Sequence, residues 1–246
     1  MIYEKLIRSS KIMKNITYLP ASTRGNTNTG WLNGYHSFNF EPSSDPLRAA
    51  FGPLIVLNQD TVQPDAGFGL HGHRNMEIIS IPLSGTITHT DSTGNATKIS
   101  LGDIQVMSAG SGVYHSEFNN SREELEFLQI WIRPERMNVV PRYQQKTVTS
   151  ERVNSFEELV GPGPKEEGLW VYQAVHLSLG NFEPGRMADY VVNAEENGVY
   201  LFMISGEGKT AGHTLRSGDA LAVRHLKNIR LEITAHARIL AIEVPL

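Results

Sequence analysis

Short runs in which apolar and polar residues alternate, each closed by Gly, Pro, Asn or Ser, recur along most of this chain and predict β-strands. The segments "PLIVLNQ" (53–59), "EIISIPLSG" (77–85), "TITHTDS" (86–92), "DIQVMSAG" (103–110) and "LEFLQIWIRP" (125–134) all read this way. Within them, "SGTITHTDSTGNATKISLGD" predicts a hairpin that turns at "STGN". One stretch breaks the pattern. "SERVNSFEELVG" (150–161) predicts a helix, with Ser155 as its N-cap and Gly161 as its stop. The expected fold class is therefore all-β.

The segment "GPGPKEEG" (161–168), dense in Gly, Pro and charge, reads as a linker or exposed loop. Beyond it a second β series echoes the first. "VYLFMISGEGKTAGHTLRSGDALAVRH" (199–225) repeats the order apolar strand, Ser-Gly, hairpin, Gly-Asp, apolar strand. A repeat of that length predicts two copies of one β-module. Aligning Gly85 with Gly206 puts Val192 and Ala194 where His71 and His73 stand. After Gly218-Asp219, the counterpart of Gly102-Asp103, Leu231 and Ile233 fall where the first copy has His115 and Glu117. The second copy keeps the scaffold and lacks the polar set.

Those four polar residues carry the candidate chemistry. Side chains at i and i+2 of a strand share a face, so His71 and His73 form one pair, and His115 and Glu117 another. Three imidazoles and a carboxylate aimed at one point suit a divalent first-row metal, nitrogen-rich enough to favour Fe(II), Mn, Co, Ni or Zn over Ca or Mg. Alternation from His73 also turns Glu77 inward, as a rival fourth ligand or as an acceptor that orients a histidine N–H. Tyr114 and Arg74 alternate away from the site. Phe68, Met76, Met107, Phe127 and Trp131 fit either an aromatic-substrate pocket or the barrel core. His89, His176, His213, His225 and His236 lack partners at ligand spacing and read as ordinary surface or hydrogen-bonded histidines.

Composition narrows the classes. The 246 residues are 40% hydrophobic and 20% charged, with net charge −4, 22 basic residues set against 26 acidic ones. Nothing in that balance favours nucleic acid or an anionic membrane. The absence of cysteine excludes disulfides, thiolate metal sites and a cysteine nucleophile. No apolar run reaches the ~18 residues of a membrane span, and the first twenty residues do not resemble a secretion signal, so the expected location is cytoplasmic.

The spacing HxHx3E ahead of Gly85, followed by "GDIQVMSAGSGVYHSE", resembles the two cupin motifs in the form found in the pirin family. "RGNTNTGWLNGYHSFNF" (24–40) with Asp45-Pro46 is similar to that family's N-terminal signature. The resemblance implies two tandem cupin barrels, of double-stranded β-helix or jelly-roll type. It implies metal held in the first by His71, His73, His115 and Glu117, with Fe(II) the leading expectation. The boundaries that follow are an extension at 1–12, a metal-binding cupin domain at 13–140, a connecting segment at 141–168 and a ligand-free cupin-like domain at 169–246.

The resemblance also implies activity of the quercetin 2,3-dioxygenase type. A flavonol's central ring would be opened by O2, and Glu117 would be the catalytic base. A small aromatic substrate and O2 would then be the partners. The alternative is a non-catalytic, metal-dependent regulatory protein with a protein partner. Sugar-phosphate isomerase chemistry, seen in other cupins, would want a cationic pocket that the sequence does not supply near the ligands.

Overall fold

The computed structural model describes residues 15–39, 45–148, 152–165, 168–210 and 212–246. The expected extension at 1–12 lies outside them. Strands dominate, and the described residues contain no α-helix. In chain order the first twelve strands are β1 (Ile16–Leu19), β2 (Gly25–Asn28), β3 (Leu32–His36), β4 (Leu54–Val62), β5 (Ala66–His73), β6 (Glu77–Ser84), β7 (Thr86–Asp91), β8 (Ala96–Ser100), β9 (Asp103–Ser108), β10 (Val113–Asn119), β11 (Leu125–Ile132) and β12 (Arg142–Thr147). The rest are β13 (Ser155–Pro162), β14 (Leu169–Val171), β15 (His176–Phe182), β16 (Met187–Val191), β17 (Asn197–Thr210), β18 (His213–Arg216), β19 (Ala220–Val223) and β20 (Asn228–Pro245).

The helix expected at 150–161 is not formed. Ser155–Pro162 is strand β13, and it pairs antiparallel with β15, Ser155 opposite Asn181 and Val160 opposite Leu177. Glu-Glu-Leu favours a helix locally, but a buried apolar end (Leu159, Val160) seated on a neighbouring strand outweighs that weak preference.

Two compact units emerge, and each takes a segment from the far side of the other in sequence. One comprises Arg24–Thr149 with Gly161–Ala174. The other comprises Val175–Leu246 with Ser150–Val160 and Met1–Thr23. Both are cupin domains.

In the N-terminal domain, β5-β10-β7-β8 form one sheet and β12-β9-β6-β11-β4-β3-β2 a second. Ile87 and Ile99 from the first sheet meet Val62, Leu125 and Phe127 from the second, so the core lies between them. A smaller apolar cluster joins Ile78, Met107 and Val113, with Met76 and Trp131 against it. Pro82 sits in the middle strand β6, where proline is rare, at a register shift opposite Phe127 and beyond the residues paired with β9. The expected hairpin is β7–β8, closed by the Asn95 carbonyl accepting from Asp91 N–H.

The C-terminal domain is built on the order β1-β19-β17-β20-β15-β13, with β16 paired to β20 and β18 to β17. Leu231, Ile233, Ala188, Tyr190 and Met203 are all buried in one largely apolar cluster. Leu231 faces Ala188 across the β16–β20 ladder, not Val192, which lies past the end of β16. The two glycines aligned in the repeat, Gly85 and Gly206, both have positive φ, +73° and +92°. A Cβ on Gly206 would come within 1.9 Å of the His236 carbonyl oxygen, so only glycine fits there. Among the described residues, no helix is long and apolar enough to cross a membrane.

Candidate metal centre

β5 and β10 run side by side with His71 opposite His115 and His73 opposite Val113. Between His115 and Glu117 the register shifts, so that Glu117 lies opposite Phe68 and one extra residue of β5 bulges outward. Leu70, in that bulge, is exposed, and the strand turns His71 and His73 back toward His115. On β10, Val113, His115, Glu117 and Asn119 are buried while Tyr114 is exposed, as alternation requires.

The three imidazoles converge. Ring centroids lie 4.4 Å apart for His71–His115, 4.9 Å for His71–His73 and 5.0 Å for His73–His115. One donor atom from each falls within 4.8 Å of the other two. His71 Nδ1 is 2.8 Å from the Gly69 carbonyl; as donor there, it leaves Nε2 free as a lone pair. His73 Nε2 and both ring nitrogens of His115 are buried without a hydrogen-bond partner. Burial, helped by the neighbouring imidazoles, lowers His73 to about 4 and His115 to about 3. Both rings are therefore neutral at pH 7, the form that ligates metal. Buried, neutral, unpartnered nitrogens are costly unless something accepts them, and a divalent cation fits that need.

Glu117 lies beside this triad rather than within it. Its donor atom is within 4.8 Å of those of His115 and His89, a second group that shares His115. Its carboxylate spans the domain interior, accepting from Ser80 Oγ at 3.3 Å and from Gln129 Nε2 at 2.9 Å. The Trp131 indole N–H donates to Gln129 Oε1 at 3.1 Å, and the Trp131 ring packs 4.8 Å from His73. Asp60 shares the interior; burial first, then the Glu117 charge, lift it to about 7 against the opposing pull of Arg24.

Glu77 is not an orienting partner for a histidine. Ser108 Oγ donates to its Oε2 at 2.7 Å, and Arg142, stacked 3.6 Å over the Trp170 ring, donates to the same Ser108. Burial raises its pKa, with Ser108, the Tyr172 backbone and Arg142 pulling the other way. Arg74 points to Asn138. Phe127 and Met107 belong to the core, whereas Phe68, Met76 and Trp131 are only partly buried.

His89, expected to be a surface or hydrogen-bonded histidine, is the latter, and it sits beside Glu117. It is fully buried, opposite Glu117 on the β7–β10 ladder, and its Nε2 is 3.0 Å from Asp91 Oδ2. Alternation from Ile87, a core residue, was the available signal. Asp91 stays well below the usual carboxylate range: burial raises it, but donors from His89, Thr93 and Asn95 outweigh that.

Two cupin domains of antiparallel sheets, one of which gathers three histidines at one point, define a bicupin with a metal-type centre in its N-terminal domain. The chain belongs to the pirin family. Residues 20–132 match Pirin and residues 159–244 match the quercetinase C-terminal cupin domain. It is 33% identical to a quercetin 2,3-dioxygenase of Escherichia coli (strain K12), over 92% of this chain and 96% of that one. It is 36% identical to a putative quercetin 2,3-dioxygenase of Pseudomonas aeruginosa, over 92% and 97%. The crystal structure of the bacterial pirin YhhW from Escherichia coli in complex with nickel(II) superposes with a TM-score of 0.86 at 32% identity, covering 94% of this chain and 99% of that one.

Proposed function

We propose that this protein is a cytoplasmic, metal-dependent dioxygenase that opens the central ring of a flavonol such as quercetin with O2, Fe(II) being its ion. His71, His73 and His115 hold the ion and Glu117 reaches it as the fourth ligand. The observation that carries this reading is the set of buried, unpartnered nitrogens on His73 and His115. The relatives named quercetin 2,3-dioxygenase and the nickel(II) complex of a related pirin support it.

A bound ion would act as a Lewis acid toward the flavonol 3-hydroxyl and make its proton easier to remove. Glu117 takes up that proton as general base. Ser80 and Gln129 hold the carboxylate in place, and Trp131 fixes Gln129 through its indole N–H. The flavonolate formed is electron-rich and is the species that reacts with O2. Trp131, Met76 and Phe68, partly buried beside the centre, offer apolar surface for an aromatic substrate and keep water from it.

The test is metal analysis of protein purified without added metal, paired with a flavonol oxidation assay on metal-loaded protein. Turnover with release of carbon monoxide is expected. Metal binding without turnover of any flavonol would instead favour the non-catalytic regulatory role.

A further inference from the structure

His115 belongs to two donor groups at once. Besides the three-histidine cluster, His115, His89 and Glu117 each place a donor atom within 4.8 Å of the other two, and all three residues are buried. His89 Nε2 is committed to Asp91, whose other contacts include donors from Thr93 and Asn95, so the available nitrogen of His89 is Nδ1. That Nδ1 has no hydrogen-bond partner, and neither do the two nitrogens of His115. In the tautomer with Nε2–H donating to Asp91, the ring's lone pair lies at Nδ1. Glu117 accepts one donor on each oxygen and retains free lone pairs. Nitrogen and oxygen ligands sit ~2.0–2.2 Å from a first-row ion, so donors that share one lie roughly 3–4 Å apart. Each of the three residues places a donor atom close enough to those of the other two to share a cation.

The surroundings agree. Gln105, the register partner of Ser80, also ends in two buried amide atoms without partners, and the interior face around Glu117 is polar. At the matching strand of the C-terminal domain, Leu231 and Ile233 fill the space with hydrocarbon instead.

We propose that the N-terminal domain has a second divalent-cation position, formed by His89 Nδ1, a ring nitrogen of His115 and the Glu117 carboxylate, which one ion occupies as an alternative to the three-histidine position. This rests on the metal-binding reading above. Asp91 serves it by fixing the His89 ring, as carboxylates do for metal-bound histidines. The shared His115 makes the two positions exclusive, so the ion can exchange between them without leaving the domain.

A double-mutant cycle read by Co(II) binding tests this. Native chain, His73→Ala, His89→Gln and the double variant are titrated with Co(II), following affinity by calorimetry and ligand set by visible absorption. Gln keeps a donor for Asp91 but removes the ring nitrogen. Should His89→Gln fail to fold by circular dichroism, His89→Phe, which fills the ring volume, replaces it. In the native background, where the three-histidine position is intact, His89→Gln is expected to leave affinity within about two-fold. In the His73→Ala background, where the second position carries the ion, it is expected to weaken binding by a further ~10–100-fold and to change the absorption bands. An equal loss in both backgrounds would make His89 a positioning residue for the first position and overturn the proposal. So would no loss in either. If the native chain binds no Co(II) at all, the metal-binding reading itself falls.

Discussion

His71 and His115 are register partners on β5 and β10, and their rings lie 4.4 Å apart, closer than any other pair in the cluster. Their proximity comes from backbone pairing, so it does not depend on His73. His73→Ala should therefore leave the fold intact and remove one ligand. Metal affinity should fall by at least the ~10–100-fold that loss of a supporting residue costs. Unchanged affinity by calorimetry, in a variant that melts normally, would mean the centre is misread.

Glu117→Gln separates ligation from base chemistry. It keeps size and an oxygen donor, but loses the charge and the proton acceptor. Some metal should remain bound while flavonol turnover drops by about 10²–10⁴-fold. Retained turnover would move the base elsewhere.

Elemental analysis should find about one tightly held ion per chain. Among the described residues both donor groups lie in the N-terminal domain and share His115, while Leu231 and Ile233 belong to an apolar cluster in the C-terminal one. Two tightly held ions would contradict this.

Tyr18 on β1 donates to Asp219 Oδ2 at 2.9 Å, and Ala21 N–H donates to Oδ1 of the same carboxylate at 2.7 Å. Tyr18→Phe should cost about 1–2 kcal/mol, read by denaturant unfolding. A truncation that starts after Leu19 removes the whole β1–β19 ladder and should lower the melting temperature far more. Starting at Met13 keeps that ladder and should change it little.

Glu243 gives the pH dependence. Burial raises its pKa, yet donors from Asn197, Asn193 and Tyr190 outweigh it and leave the group below its ordinary value. A carboxylate depressed in the folded state stabilises above its unfolded pKa and loses that contribution as pH falls through the folded one. Glu243→Gln should thus cost about 2–3 kcal/mol at pH 7. The cost should shrink on acidification below about pH 4, because the native protein then loses the same interaction. A pH-independent difference in stability would refute the assignment.

Alternation made β6, β7, β9 and β11 legible, because one residue in two had to meet a core. The same rule makes His71, His73, His115 and Glu117 legible as two same-face pairs. It could not say that a bulge in β5 sets Glu117 opposite Phe68, nor that Gln129 and Ser80 hold its carboxylate. Those depend on strand partners distant in sequence. β13 was misread because residues 155–162 are helix-prone locally and strand-paired globally. Glu77 was half-legible: its inward direction was right, but its partners came from Ser108 and Arg142.

The placement of β1 has a consequence for how the chain comes into being. Tyr18 meets Asp219, 201 residues later. On a ribosome, β1 must therefore wait, unpaired, while the whole N-terminal domain is made. Its edge can be filled only once β19 has appeared. Such a distant pairing is slow to form and exposes an open strand meanwhile. The C-terminal domain closes on a strand that was translated before the whole N-terminal domain.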